Sequence, residues 1–287
     1  MSTDFVIPGA VGPGSQPIEP DGQSLDYMEM PREMATFDLP IAPEPEDTVG
    51  MEGGKARLNE LTAALSTYKI GAPAVVIELG DLAPEDLGLV NQILGEGEVS
   101  MVGGSHIQVQ EAVFAGVWRV LHFDGQGSVA RDTIEVAAWP DAVRGQVFAT
   151  ARKDAALAED PLPPSVFNAP SLLSEIADQV KTRKPGDPAH SINLSLLPHT
   201  EEDLQYLADK LGVGGTIILS RGYGNCRVSS SGTNNVWWVQ YYNAQDAIIL
   251  NSIEIVEVPE VVCAAQEDID DSAERLTEVM GVYNVSG

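Results

Sequence analysis

The stretch from Pro73 to Pro140 returns, in approximate copy, at Pro188 to Pro259, and the repeat limits what this chain can fold into. The first copy runs Pro73-Ala-Val-Val-Ile-Glu-Leu79, Ala83-Pro-Glu-Asp-Leu87, Ile93-Leu-Gly95, Val117-Trp-Arg-Val120 and Glu135-Val-Ala-Ala-Trp-Pro140. The second answers in order with Pro188-Ala-His-Ser-Ile-Asn-Leu194, Thr200-Glu-Glu-Asp-Leu204, Lys210-Leu-Gly212, Val236-Trp-Trp-Val239 and Glu254-Ile-Val-Glu-Val-Pro259. The offset is 115 from Ile77 to Ile192, 117 from Leu94 to Leu211, and 119 from Trp118 to Trp237 and from Pro140 to Pro259. That slow drift is what loop insertions produce. A period this long lies outside the roughly 20 to 50 residues of solenoids and propellers, so it reads as a duplicated module.

Each copy opens with a helix, then a strand, a second helix and a run of strands, which predicts α+β modules with a mixed or antiparallel sheet and helices on one face. Leu58, Leu61 and Leu65 set the first helix, expected over 55–68. The apolar run of 74–79 suggests a strand covered on both faces. Pro84, Glu85 and Asp86 open the next helix and Gly95 stops it. Short strands follow near 98–101, 107–114, 116–123 and 131–138. Residues 141–158 read as a weakly amphipathic helix ended by Pro161-Leu-Pro-Pro164. The organisation expected is a flexible Pro-, Gly- and acid-rich tail over 1–54, a first module over 55–145, a connector over 146–169, and a second module with an acidic C-terminal helix over 170–287. Two islands interrupt the tail: the turn-rich Gly12-Pro-Gly-Ser-Gln-Pro17 and the Tyr- and Met-bearing Leu25 to Met34.

The 287 residues carry 43 acidic and 16 basic side chains, a formal net charge of −27. Such a surface repels phosphate backbones and anionic lipid, so nucleic acid and membrane are poor partners and a basic peptide or protein is a good one. The first twenty residues lack an export pattern, and no apolar run reaches the ~18 residues of a spanning helix. A cytoplasmic protein is expected.

No strong catalytic or cofactor signature is present. G-x-S-x-G, H-E-x-x-H and G-x-G-x-x-G after a strand are missing, and Gly50 to Lys55 fails as a P-loop in spacing and in the Ala56 that follows. The expectation is therefore a protein that is not an enzyme and has no cofactor. Leu94-Gly-Glu-Gly-Glu-Val-Ser100 reads as a helix stop and strand entry, and its Glu96 and Glu98 would repel a phosphate and receive a guanidinium. Trp118, Trp237 and Trp238 lie on corresponding strands; alternation puts Trp237 and Trp238 on opposite faces, one for the core and one able to anchor a bound peptide. With Tyr223 at its turn, these residues make the candidate partner surface. Cys226, Cys263 and His190 are weak metal candidates, because no pair among the cysteines and histidines has a ligand spacing.

Leu94 to Ser100, Gln110-Glu-Ala-Val-Phe114, Gly116-Val-Trp-Arg-Val120, His190-Ser-Ile-Asn-Leu194, Gly222-Tyr-Gly224 and Pro259-Glu-Val-Val262, with Asp271-Ser-Ala and Arg275-Leu276, resemble the HupH, HyaF and HoxQ hydrogenase expression proteins. The likeness runs from Gly12 almost to the C-terminus. It implies an assembly chaperone for an uptake-type [NiFe]-hydrogenase, holding the iron–sulfur small-subunit precursor before twin-arginine export together with a thioredoxin-like accessory protein. A transient metal or cluster carrier for the same hydrogenase is the alternative. The resemblance brings no catalytic residues.

Overall fold

The structure, a computed structural model, describes residues 43–104, 106–159, 161–222 and 224–284. The two N-terminal islands and Tyr223 lie outside the described residues. Seven elements, α1 (Glu52–Thr67), β1 (Val75–Glu78), α2 (Pro84–Leu94), β2 (Val99–Gly103), β3 (Ile107–Glu111), β4 (Val117–Phe123) and β5 (Val129–Val136), form the first half. A four-residue α3 (Asp141–Arg144) follows. The second half repeats the order with α4 (Ala169–Thr182), β6 (His190–Asn193), α5 (Glu201–Leu211), β7 (Val213–Ser220), β8 (Asn225–Ser231), β9 (Val236–Tyr242) and β10 (Ile248–Ile255), and α6 (Gln266–Asn284) closes the described chain.

All ten strands belong to one antiparallel sheet in the order β1-β5-β4-β3-β2-β7-β8-β9-β10-β6. Reading outward from the central β2–β7 pair, each strand meets its counterpart from the other half at the same distance from the centre. The sequence left open whether the halves share a sheet. They do, through the register Met101↔Ile218.

The registers carry each face across the junction. Thr133, Val120, Val109, Met101, Ile218, Val228, Val239 and Ser252 are successive partners, and every one is buried. This face is covered by the chain after β5, where Val143 and Val147 are buried and the Phe148 ring meets Trp237 edge-on at 5.1 Å. The opposite face runs Arg119, Gln110, Ser100, Leu219, Arg227, Gln240, Asn251, and it is the helix side. Arg119 there bonds Asn91 of α2 and Asp132 of β5. In the second half Ile253, Ile255 and Val236 take the same side and pack with α4 and α5. Alternation along each strand thus builds two buried layers from one sheet.

Leu58, Leu61 and Leu65 are fully buried, as their spacing requires, and burying each contributes on the order of 2 kcal/mol. Part of their cover is α6, which returns to α1 from the far end of the sequence.

Three elements differ from the sequence reading. The apolar run near 74–79 is an edge strand, with Val75 and Val76 exposed and Ile77 alone of β1 buried. Its length and apolarity match a covered strand, but position in the sheet comes from long-range pairing that a run does not encode. The helix expected over 141–158 stops at Arg144, because Gly145 follows and the next residues hold turns against the sheet instead. The first helix starts at Glu52, earlier than Lys55, with Gly53 and Gly54 tolerated where α2 crosses: a Cβ on Gly54 would lie 2.7 Å from the Asp86 carbonyl oxygen.

An acidic cleft as candidate functional site

β2 opens beside β7 at one end of the central pair, and a cleft of about 430 Å³ lies there. Its floor is Val99, Ser220 and Glu111, and its wall is Val261–Ala264 and the first turns of α6. Glu98, Glu111, Asp268 and Asp271 bring four carboxylates to it, while Val99, Val113, Val261 and Val262 supply apolar surface. Arg275 is the cationic side chain of this lining, 3.9 Å from Asp271 and stacked over Phe114 at 5.4 Å.

Glu111 is the chemically distinctive member. It lies opposite Trp118 on the buried face of the sheet, so the strand aims a carboxylate where Ile107 and Val109 place core side chains. Burial pushes its carboxyl up to about 7; backbone N–H groups of Gly116 and Val99 oppose the rise, and the charges of Glu98 and Asp268 add to it. Near neutral pH this group holds a proton part of the time. Cys263, on the same lining, is pushed up to about 11 by burial, so it stays a thiol at neutral pH.

The glycines of Leu94 to Ser100 have local work. Gly95 ends α2 at φ 54°, and Gly97 presses on β3, donating its N–H to the Glu111 carbonyl at 2.6 Å with no room for a Cβ beside the Ala112 carbonyl. This fixes the backbone from which Glu98 reaches the cleft. Glu98 sits against Gly222, where a side chain would collide with its carboxylate.

The remaining candidates are scattered. Glu96 is exposed and outside the cleft lining. Trp118 and Trp237 are fully buried and donate their indole N–H groups to the carbonyls of Ala137 (2.8 Å) and Val256 (3.1 Å), so neither offers an anchor at the surface; large side chains on inward strand positions serve the core first. Trp238, on the other face, is half-buried. Cys226 is buried on β8, its thiol pushed up to about 11 by burial beside Tyr241, and His190 pairs with Glu175 at 2.7 Å. Among the described residues no three His, Cys, Asp or Glu side chains gather as metal ligands. Among the described residues, too, no helix is long and apolar enough to cross a membrane.

Glu111 and Asp271 stand in motifs that carry the family resemblance, but neither they nor Asp268 was given a role from the sequence. Glu111 had a legible signal, an acid at the inward parity of Ile107-Gln-Val-Gln-Glu111. The aspartates looked like ordinary helix-opening acids.

The fold and site together define an α+β protein of strongly acidic charge with a cleft lined by four carboxylates. The sequence profile of the family described as "HupH hydrogenase expression protein, C-terminal conserved region" matches twice, over residues 51–158 and 166–283, and the chain belongs to that family. It is 45% identical over 283 residues to hydrogenase expression/formation protein HupQ of Azotobacter chroococcum, covering 97% of this chain and 98% of the relative. It is 44% identical over 279 residues to HoxQ of Cupriavidus necator, with 96% and 97% covered, and 33% identical over 277 residues to the hydrogenase-1 operon protein HyaF of Escherichia coli, with 94% of each. A solved structure of the hydrogenase expression protein HupH from Thiobacillus denitrificans aligns with 40% of this chain and 95% of its own, at 33% identity and a TM-score of 0.36.

Proposed function

We propose that this chain is a non-catalytic assembly chaperone in the maturation of an uptake-type [NiFe]-hydrogenase, binding the iron–sulfur small-subunit precursor in the cytoplasm before twin-arginine export. Family membership and the relatives' names support the maturation role. The observation that carries the binding role is the cleft, in which four carboxylates face about 430 Å³ of space on a chain of net charge −27. A lysine or arginine side chain of the client fits this chemistry, with the valines taking its aliphatic stem. Long-range attraction speeds the encounter, and the cleft sets the register. A thioredoxin-like accessory protein is the expected companion.

The carrier alternative rests on Cys226, Cys263 and the histidines, and among the described residues no three His, Cys, Asp or Glu side chains gather as metal ligands. The repeated element order and the double profile match support reading the two halves as a duplicated module, with a connector between them.

Capture of the tagged small-subunit precursor tests the proposal. Combining Glu98→Gln, Asp268→Asn and Asp271→Asn should weaken capture by about tenfold or more, since one charge-assisted hydrogen bond is worth at least ~1.4 kcal/mol. Undiminished capture by a folded triple variant removes the cleft from the mechanism; no capture by the unaltered chain removes the chaperone role.

A further inference from the structure

A large aromatic ring stands out of the surface just before α4. Phe167 is 70% exposed, yet its backbone is fixed: the N–H groups of Phe167, Asn168 and Ala169 all donate to Asp203 Oδ1, at 2.8–2.9 Å, and Asp203 itself is buried. Val166 before it is buried, and Ser165 lies in the left-handed region at φ 68°, where a side chain strains the backbone. The Thr200 hydroxyl holds the Ser165 carbonyl at 2.7 Å. This turn sends one apolar side chain inward and the next outward on a rigid support.

A second apolar group lies beside it. The Asn168 side-chain amide donates to the Pro198 carbonyl at 2.8 Å, which brings Phe167 next to the segment Leu196-Leu-Pro198. There Leu196 is 80% and Leu197 39% exposed.

The first half shows that the shared backbone does not require these groups. α1 and α4 match at an offset of 115, Leu58 with Leu173 and Leu61 with Ile176, and Leu79 with Leu194 keeps that offset; all six are buried. The same offset puts Glu52 at the place of Phe167 and Asp81 at that of Leu196. Both are exposed acids with ion pairs of their own, to Lys55 at 3.2 Å and to Arg57 at 2.9 Å. Two exposed charges in one half are thus two exposed apolar side chains in the other. Neighbouring apolar groups left in water on a fixed backbone fit a docking surface, with the aromatic ring as its anchor.

Charge selects the occupant. Glu201 and Glu202 follow directly on Thr200 in the first turn of α5; both are exposed, and neither forms an ion pair with a described residue. A second copy would set these acids against each other on two chains of net charge −27, and an anionic lipid surface would meet the same repulsion. A segment with lysine or arginine beside its apolar side chains is favoured on both counts.

We propose that Phe167, Leu196 and Leu197 form a docking surface for a basic, apolar peptide segment of a protein partner, with Glu201 and Glu202 receiving the flanking cations. The surface shares no residue with the acidic cleft and does not rest on the reading of that cleft.

Fluorescence anisotropy on the whole chain tests it with three labelled peptides: leucines flanked by arginines, the same leucines flanked by glutamates, and serines flanked by arginines. The first should bind. Phe167→Ala combined with Leu196→Ala should weaken it about tenfold, ~1.4 kcal/mol, with unchanged melting because both side chains stand in water. Glu201→Gln with Glu202→Gln should weaken it severalfold and lower its salt dependence. The same tenfold loss should appear when Phe167→Ala and Leu196→Ala are added to the three cleft substitutions, which separates this surface from the cleft. Failure of the leucine–arginine peptide to bind, undiminished binding in either double variant, equal binding of either other peptide, or a dimer that Phe167→Ala with Leu196→Ala dissolves overturns the proposal.

Discussion

The two halves use one device with different strength. Asp86 in α2 accepts a hydrogen bond from the Gly54 N–H near the start of α1, at 2.7 Å. Its counterpart 117 residues on, Asp203 in α5, accepts from the Phe167, Asn168 and Ala169 N–H groups at the start of α4, at 2.8–2.9 Å, and from the Thr200 N–H at 3.1 Å. Thr200 completes a capping box where the first half has Ala83. A corresponding split appears at the strand entries: Glu96, Gly97 and Glu98 become Val213, Gly214 and Gly215. Gly97 and Gly214 both press on the neighbouring strand with no room for a Cβ, while the acids are replaced. The backbone plan is common; the second half spends its polar groups on closing itself, and the first half turns them outward.

The largest test of that comparison is at the shared core. Trp118→Ala and Trp237→Ala should each destabilise by about 4 kcal/mol in denaturant melts, since both rings are fully buried and hydrogen-bonded. A difference of more than about 2 kcal/mol between them would break the equivalence of the two positions.

Asp203→Ala should cost about 3 kcal/mol, because it orphans several amides, and Asp86→Ala about 1 kcal/mol, because it orphans one. Burial favours the neutral Asp203 carboxyl, but four backbone donors outweigh it and hold the group at about 2, below its usual 3.8. That stabilisation is present above pH 3.8 and lost as pH falls through about 2, and acid titration of the unaltered chain against Asp203→Asn checks it.

Glu111 behaves in the opposite sense. The folded chain keeps its proton up to about pH 7, whereas the unfolded chain loses it near 4.5, so stability should fall by about 3 kcal/mol as pH rises between those values. Glu111→Gln should flatten the curve, and a curve that keeps its slope would move the titration elsewhere. The smallest pair is Gly97→Ala and Gly214→Ala, each expected to cost about 1–2 kcal/mol through displaced strand backbone. Equal losses sharpen the correspondence of the two strand entries.

Much of this comparison could be read from residues alone, and some could not. The repeat predicted the order of helices and strands, because apolar period and turn residues are local signals. That the apolar run of 74–79 lies at a sheet edge was not legible, as the exposure of Val75 and Val76 depends on which strand pairs outside them. Of the cleft, Glu98 could be found from its Gly-flanked motif, but Asp268 and Asp271 reach it only because the chain returns over 160 residues later. Trp139 stands in the sequence only as a landmark of the repeat; its unpaired N–H is a property of its neighbours.

Contact between α6 and α1 sets the order in which this chain can mature on the ribosome. The Ile70 N–H donates to Gln266 at 2.9 Å, Lys69 pairs with Asp270 at 3.0 Å and the Tyr283 hydroxyl reaches the Pro43 carbonyl at 2.8 Å, all across about 200 residues or more of sequence. At about 5–20 residues per second of synthesis, the part of the first helix that α6 covers waits on the order of ten seconds for it. Nascent chains halted before residue 266 would contain every strand of the sheet and still leave the side of α1 that meets α6 open to a holdase.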